Sequence, residues 1–102
     1  MKLKGKQKAL LKKAAHNLAV TVMIGDKGIT ENLIKSLDKN LTANELIKAS
    51  ISHPDRKVRA EMSNELAEKT NSIIVNSIGK TFLFYRENSE NPKISLKVKK
   101  IK

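Results

Sequence analysis

Between Lys6 and Leu18 the apolar residues Leu10, Leu11, Ala14, Ala15 and Leu18 recur at helical spacing, while Lys8, Lys12 and His16 gather on the opposite side with Lys13 beside them. This pattern predicts an amphipathic helix with a basic back. Val20-Thr21-Val22-Met23-Ile24 is short, rich in β-branched residues and ended by Gly25, as expected of a buried strand. Thr30 can cap a second helix, Glu31 suits the positive end of its dipole, and Leu33, Ile34, Leu37 and Leu41 form its apolar stripe. From Glu45 to Ser52, Ile47, Ala49 and Ile51 alternate with Leu46, Lys48 and Ser50, the period of a strand, which His53-Pro54 ends.

Asp55 is placed to cap a third helix, with Val58, Met62, Leu66 and Ala67 inward and Arg56, Lys57, Arg59, Glu61 and Glu68 toward water. Asn71 can supply the left-handed residue that closes it. Residues 73–78 and 81–86 read as two strands joined by a two-residue hairpin, Gly79-Lys80, with glycine first. The predicted order is α-β-α-β-α-β-β in one α/β domain, residues 1–87. Beyond it, residues 88–102 read as a basic C-terminal tail, partly disordered or forming a short edge strand through the near-alternation of Ile94, Leu96 and Val98.

Charge changes the picture more than composition does. The 102 residues carry a formal net charge of +11. Residues 1–13 hold six lysines and no acid, residues 93–102 hold five lysines and no acid, and the stretch between is balanced at ten basic and ten acidic side chains. A neutral body with two basic ends points to a localised surface for a polyanion, most simply nucleic acid, if the ends converge in space. Cysteine is absent and only His16 and His53 represent histidine, so thiolate chemistry, disulfides and a histidine-rich metal cage are excluded. The longest apolar run, residues 18–24 with Thr21 inside it, falls far short of the roughly 20 residues that span a bilayer. The expected location is the cytoplasm.

The segment with a specific mechanism is Gly25-Asp26-Lys27-Gly28, set between a predicted strand and a predicted helix. Glycines permit a tight turn and close approach of a ligand, the helix start offers unpaired N–H groups, and Lys27 adds a positive charge, a combination suited to phosphate oxygens. Asp26 opposes it locally. The further glycine and the Lys-Ser/Thr pair of a nucleotide-binding P-loop are missing, so that reading fails.

In this segment and around it the sequence resembles the CRM domain family (chloroplast RNA splicing and ribosome maturation), in its stand-alone bacterial, YhbY-like form. The resemblance rests on Leu3-Lys4-Gly5-Lys6-Gln7 leading into the basic helix that ends Ala15-His16, then Ile24-Gly25-Asp26-Lys27-Gly28-Ile29-Thr30. It continues in Asn44-Glu45-Leu46-Ile47-Lys48, Ile78-Gly79-Lys80-Thr81, Leu83-Phe84-Tyr85-Arg86 and Asn91-Pro92-Lys93, covering nearly the whole chain. It implies a mixed four-stranded sheet packed with helices, similar to the C-terminal domain of a translation initiation factor. It also implies RNA binding through the Gly-x-x-Gly loop and the adjoining basic surface, and association with precursors of the large ribosomal subunit. Family loops are commonly more purely basic, and Asp26 is a departure from them.

The expected RNA-binding residues are therefore Lys4, Lys6, Lys8, Lys12 and Lys13 of the first helix, Gly25, Asp26, Lys27 and Gly28 of the loop, and Lys80 at the hairpin tip. Lysines act as flexible point charges, and no arginine precedes Arg56, so shape and charge should outweigh base reading there. Phe82 and Phe84 share a strand face and read as core rather than as a stacking platform. The expected role is a monomeric, non-catalytic protein that binds structured ribosomal RNA and assists ribosome assembly, with no cofactor, metal, membrane or small-molecule substrate. His16 and His53 have no evident carboxylate partner, and Glu61 and Glu65 fall on an exposed helix face, so no catalytic group stands out. The alternative is a structural ribosomal protein or a DNA-compacting protein, which would share the small size and basicity.

Overall fold

The structure, a computed structural model, describes residues 3–25 and 27–101. Its elements run α1 (Gly5–Ala15), β1 (Val20–Ile24), α2 (Glu31–Asn44), β2 (Leu46–Ile51), α3 (Arg56–Thr70), β3 (Ile73–Ile78), β4 (Thr81–Tyr85) and α4 (Ser95–Lys99). Through β4 the order is the one the sequence pattern predicts. The local signals act as expected: Thr30 Oγ1 accepts the Leu33 N–H at 3.1 Å, and Asp55 Oδ1 accepts the Lys57 N–H at 2.8 Å. Asn71 closes α3 in the left-handed region at φ 53°, and Gly79 opens the hairpin at φ 59°.

The strands form one mixed sheet in the order β1-β2-β4-β3, with β1 and β2 parallel and the other two pairs antiparallel. Alternation along the strands divides the side chains between two cores. Val22, Ile24, Ile47, Ala49, Ile51, Phe82 and Phe84 meet Leu37 and Leu41 of α2 and Leu66 of α3 on one face. On the other, Leu46, Val75, Leu83 and Tyr85 meet Leu11 and Ala15 of α1 and Val98 of α4. The molecule is thus three layers, helices on both faces of the sheet. Phe82 and Phe84 are core, as predicted. A bulge between Ile74 and Asn76 interrupts the alternation of β3, which is how Val75 joins the α1 core next to Asn76, the partner of Leu83. No helix among the described residues is long and apolar enough to cross a membrane.

The C-terminal segment differs from the sequence expectation of a disordered tail or an edge strand. Residues 95–99 form a helix, because Ile94 and Val98 are four apart, a spacing that fits a helical stripe as well as an alternating one. The position that separates the two readings is Leu96, which a half-buried strand would cover and which is in fact exposed. What holds the segment is Glu45, a residue that reads from sequence as the first position of a strand. It stops α2 at φ 63° and is fully buried. Its Oε1 accepts the N–H groups of Lys93 at 2.6 Å and Ser95 at 3.0 Å, while Oε2 accepts the Asn88 N–H at 2.6 Å and the Ser95 hydroxyl at 2.7 Å.

Burial alone would raise the pKa of Glu45, but the bonds from Asn88, Ser95 and Lys93 outweigh it and hold the carboxyl below its ordinary range. Tyr85, buried in the α1 core, is pushed up to about 12 by burial and by the charges of Glu45 and Glu87. Arg86 completes this end of the fold. Its Nη1 donates to Asp38 Oδ1 at 2.6 Å and to the Thr70 carbonyl at 2.8 Å, and its Nη2 donates to the Asp38 carbonyl at 3.0 Å and to Thr42 Oγ1 at 2.8 Å. One guanidinium therefore ties α2 and the end of α3 to the end of β4.

Candidate nucleic-acid interface

Strand direction decides which loops meet. Because β1 and β2 are parallel, their C-terminal ends lie together, and the Ser52 N–H donates to the Ile24 carbonyl at 2.9 Å. Because β4 is antiparallel to β2, the start of β4 reaches the same end, where the Ile51 N–H donates to the Lys80 carbonyl at 2.8 Å. Three connections therefore converge: the glycine-flanked loop at residues 25–28, the turn at residues 53–55 that enters α3, and the hairpin tip at Gly79 and Lys80. The N-terminal turns of α2 and α3 start here too, adding the positive ends of two helix dipoles.

Within the loop, the Gly28 N–H donates to the Gly25 carbonyl at 3.0 Å and closes a turn. Gly28 sits at φ 68°, where a side chain is strained. Gly25 has no such constraint, and a Cβ at either glycine would meet nothing within 4 Å. The fold itself makes no steric demand for glycine at position 25; what its absent side chain leaves open is the backbone. Lys27 is exposed, and Asp26 lies outside the described residues.

Among the described residues, four exposed basic side chains belong to this end: Lys27, Arg56, Lys57 and Lys80. Arg56 and Lys57 read from sequence only as the wet face of a helix. The signal that could have found them is the β-α-β unit, since a strand-helix-parallel strand crossover puts the loops after both strands at one end of the sheet. Arg59 is committed elsewhere, its Nη1 donating to the His53 carbonyl at 2.6 Å. His53 Nδ1 accepts the Asp55 N–H at 3.0 Å, so its ring shapes the turn into α3.

The lysines of α1 are spread along the helix rather than gathered at the loop. At its start, the Lys4 N–H donates to Gln7 Oε1 at 2.8 Å and Gln7 Nε2 donates to the Val98 carbonyl at 3.1 Å. This start therefore lies beside α4, which Glu45 anchors at the opposite end of β2 from the loop, a strand length of roughly 17 Å. Lys4 and Lys12 are separated by eight residues, about 12 Å along the axis. Lys12, with Ala15 and His16, lines an open groove of about 680 Å³ between α1 and the sheet, whose other walls include Lys48, Ile78 and Thr81. Lys12 thus faces ground that leads to the loop end, while Lys4 adjoins the C-terminal helix. Lys6, Lys8 and Lys13 are exposed along the helix.

The two basic ends of the sequence do meet, through Gln7 and Val98. The first turn of α1 contains no acid, although acids there would suit the helix dipole. Lys6 and Lys8 sit where the dipole opposes them, which gives their charge no stabilising role within the helix.

Comparison with known proteins gives a consistent result. The family model of the CRS1 / YhbY (CRM) domain matches residues 3–86. The chain is 35% identical over 94 residues to the "Probable RNA-binding protein YqeI" of Bacillus subtilis, covering 92% of this chain and 98% of that protein. It is 36% identical over 94 residues to a protein of Haemophilus influenzae named RNA-binding protein, covering 92% and 94%. Among solved structures, the solution structure of a hypothetical protein of Staphylococcus aureus matches with a TM-score of 0.76 at 40% identity, covering 88% of this chain and 94% of that one. With a family match from Leu3 to Arg86, which includes the glycine-flanked loop and the hairpin that converge on one end of the sheet, the chain belongs to the CRS1/YhbY (CRM) domain family.

Proposed function

We propose that this chain is a non-catalytic RNA-binding protein of the cytoplasm. It docks on the sugar-phosphate backbone of structured ribosomal RNA and assists assembly of the large ribosomal subunit. The observation that carries this reading is the convergence of the open glycine loop, two helix N-termini and Lys27, Arg56, Lys57 and Lys80 on one end of the sheet. Close approach of a backbone to Gly25 and Gly28 is sterically free, and the surrounding cations neutralise phosphates without the rigid geometry that base reading needs. Lys12 and Lys13 extend the surface along α1, and Lys4, Lys6 and Lys8 provide a second, longer-range field toward α4. The RNA-binding names of the relatives support RNA as the polyanion, and the resemblance to the family is the ground for proposing a ribosomal target.

Fluorescence anisotropy with a labelled structured RNA across a salt series tests the docking. If about six phosphates are neutralised, log affinity falls against log salt with a slope near −4 on the single-strand coefficient and near −5 on the duplex one. Replacing Lys27 and Lys80 together by alanine should weaken binding and flatten the slope without lowering the melting temperature, since both side chains are exposed. Unchanged affinity would show that the proposed face is wrong. Sedimentation tests the role: an assembly factor travels with precursor large subunits and is missing from mature ribosomes. A structural component stays with mature particles, and a DNA-compacting protein prefers duplex DNA to structured RNA.

A further inference from the structure

Register places four side chains in a row across the loop end of the sheet: Met23 is opposite Ser50, Ser50 opposite Thr81, and Thr81 opposite Ile78. They point to the α1 face, because the buried neighbours Ile24, Ile51 and Phe82 point to the other. Helix α1 covers only the far part of this face, over Leu46, Leu83 and Tyr85. The row is left open, with Met23 76% and Ile78 72% exposed, two of the three large apolar side chains the structure exposes among the described residues. Behind it the groove is walled by Lys12 of α1, by His16 just after that helix and by Lys48 and Asn76 of the sheet, and among the described residues no acid lines it.

We propose that this open row and the groove behind it receive unpaired bases of the same RNA whose backbone is held at the loop end, an inference that rests on the docking reading above. A base has two apolar faces and a hydrogen-bonding edge. Met23 and Ile78 offer aliphatic and thioether surface to the faces, while Ser50, Thr81, Asn76 and Lys48 offer donors and acceptors to edges and phosphates. Phe82, Phe84 and Tyr85 are all buried, so the bases pack on aliphatic side chains rather than on aromatic rings. The charge of the groove selects the occupant. Lys12 and Lys48 beside exposed apolar surface, with no acid among the described lining residues, match a nucleotide, which is apolar on its base and anionic on its phosphate.

The test uses the full chain with two RNAs, a blunt duplex and the same duplex interrupted by a bulge of unpaired uridines. Wild type is expected to prefer the bulged RNA. The double variant Met23→Ser, Ile78→Ser should lose that preference, a drop of about tenfold on the bulged RNA, and keep its duplex affinity, salt slope and melting temperature. A wild type with no preference, or a variant that retains it, overturns the proposal. So does a wild type that self-associates in sedimentation equilibrium through these residues while its RNA preference survives the substitutions, which would make the row a protein interface. Crosslinking of wild type to 4-thiouridine in the bulge needs no variant: adducts on the peptides of Met23, Lys48 or Ile78 support it, and adducts confined to α2 or α4 refute it. The Lys27→Ala, Lys80→Ala variant keeps the two readings apart. If it binds both RNAs as wild type does while the Met23, Ile78 variant loses the bulge, docking at the loop end is wrong and the base site stands.

Discussion

Replacing Glu45 by glutamine tests the account of the C-terminal helix most severely. The carboxylate is fully buried and accepts four hydrogen bonds, from the N–H groups of Asn88, Lys93 and Ser95 and from the Ser95 hydroxyl. Glutamine offers one accepting oxygen and one donating amide. If the amide takes the place of Oε2, the Ser95 hydroxyl can turn to accept from it, but the Asn88 N–H is left facing a donor; the reverse orientation strands two N–H groups. One buried donor without an acceptor costs about 1–3 kcal/mol, and the other bonds lose the strength that the charge lends them. The expected loss is about 3 kcal/mol in urea unfolding at neutral pH, with faster hydrogen exchange at Asn88 and Lys93.

The pH dependence has a definite sign. Because the folded carboxyl titrates below its ordinary value of 4.5, its stabilisation is complete above that value and is lost as pH falls through the folded pKa. The Glu45→Gln unfolding curve should lack this acid-side decline. A variant within about 0.5 kcal/mol of wild type, or one that keeps the same acid dependence, would refute the anchoring role.

Two further predictions concern the interface. Gly25→Ala should leave stability within about 0.5 kcal/mol yet weaken RNA binding, whereas Gly28→Ala, at φ 68°, should cost about 1 kcal/mol of stability as well; circular-dichroism melts with anisotropy titrations separate the two, and equal effects on stability would contradict the loop geometry. Lys6→Glu should stabilise the fold by about 0.3–1 kcal/mol through the α1 dipole and reduce RNA affinity, so a change of the same direction in both measurements would count against a binding role for this lysine.

How much of this was legible in the sequence depends on the range of the interaction that decides each feature. Caps and turns are local, and Thr30, Asp55, Asn71 and Gly79 announce themselves by residue type. The strands follow from alternation, and Phe82 and Phe84 take the buried face that their spacing assigns. Glu45 was opaque because its partners lie more than forty residues away, and an acid at a strand start ordinarily reads as solvated. The C-terminal helix is illegible for the same reason: the short stretch from Ile94 to Val98 carries both periods at once, and burial of Val98 against α1 chooses between them. In the interface, the loop glycines and Lys27 could be recognised from their setting between strand and helix. Arg56 and Lys57 needed the parallel pairing of β1 and β2, and the spread of the α1 lysines needed the packing of that helix against α4.

Packing α1 against α4 sets two cationic rods side by side, with lysines as their only ionisable side chains. Leu11 and Val98, together with the Gln7 bond, hold the pair against mutual repulsion, relieved on one side by the ion pair of Lys99 with Glu87. Any polyanion engaging both rods would neutralise that repulsion, and by thermodynamic linkage its occupancy would then be felt as added resistance to unfolding of the last helix.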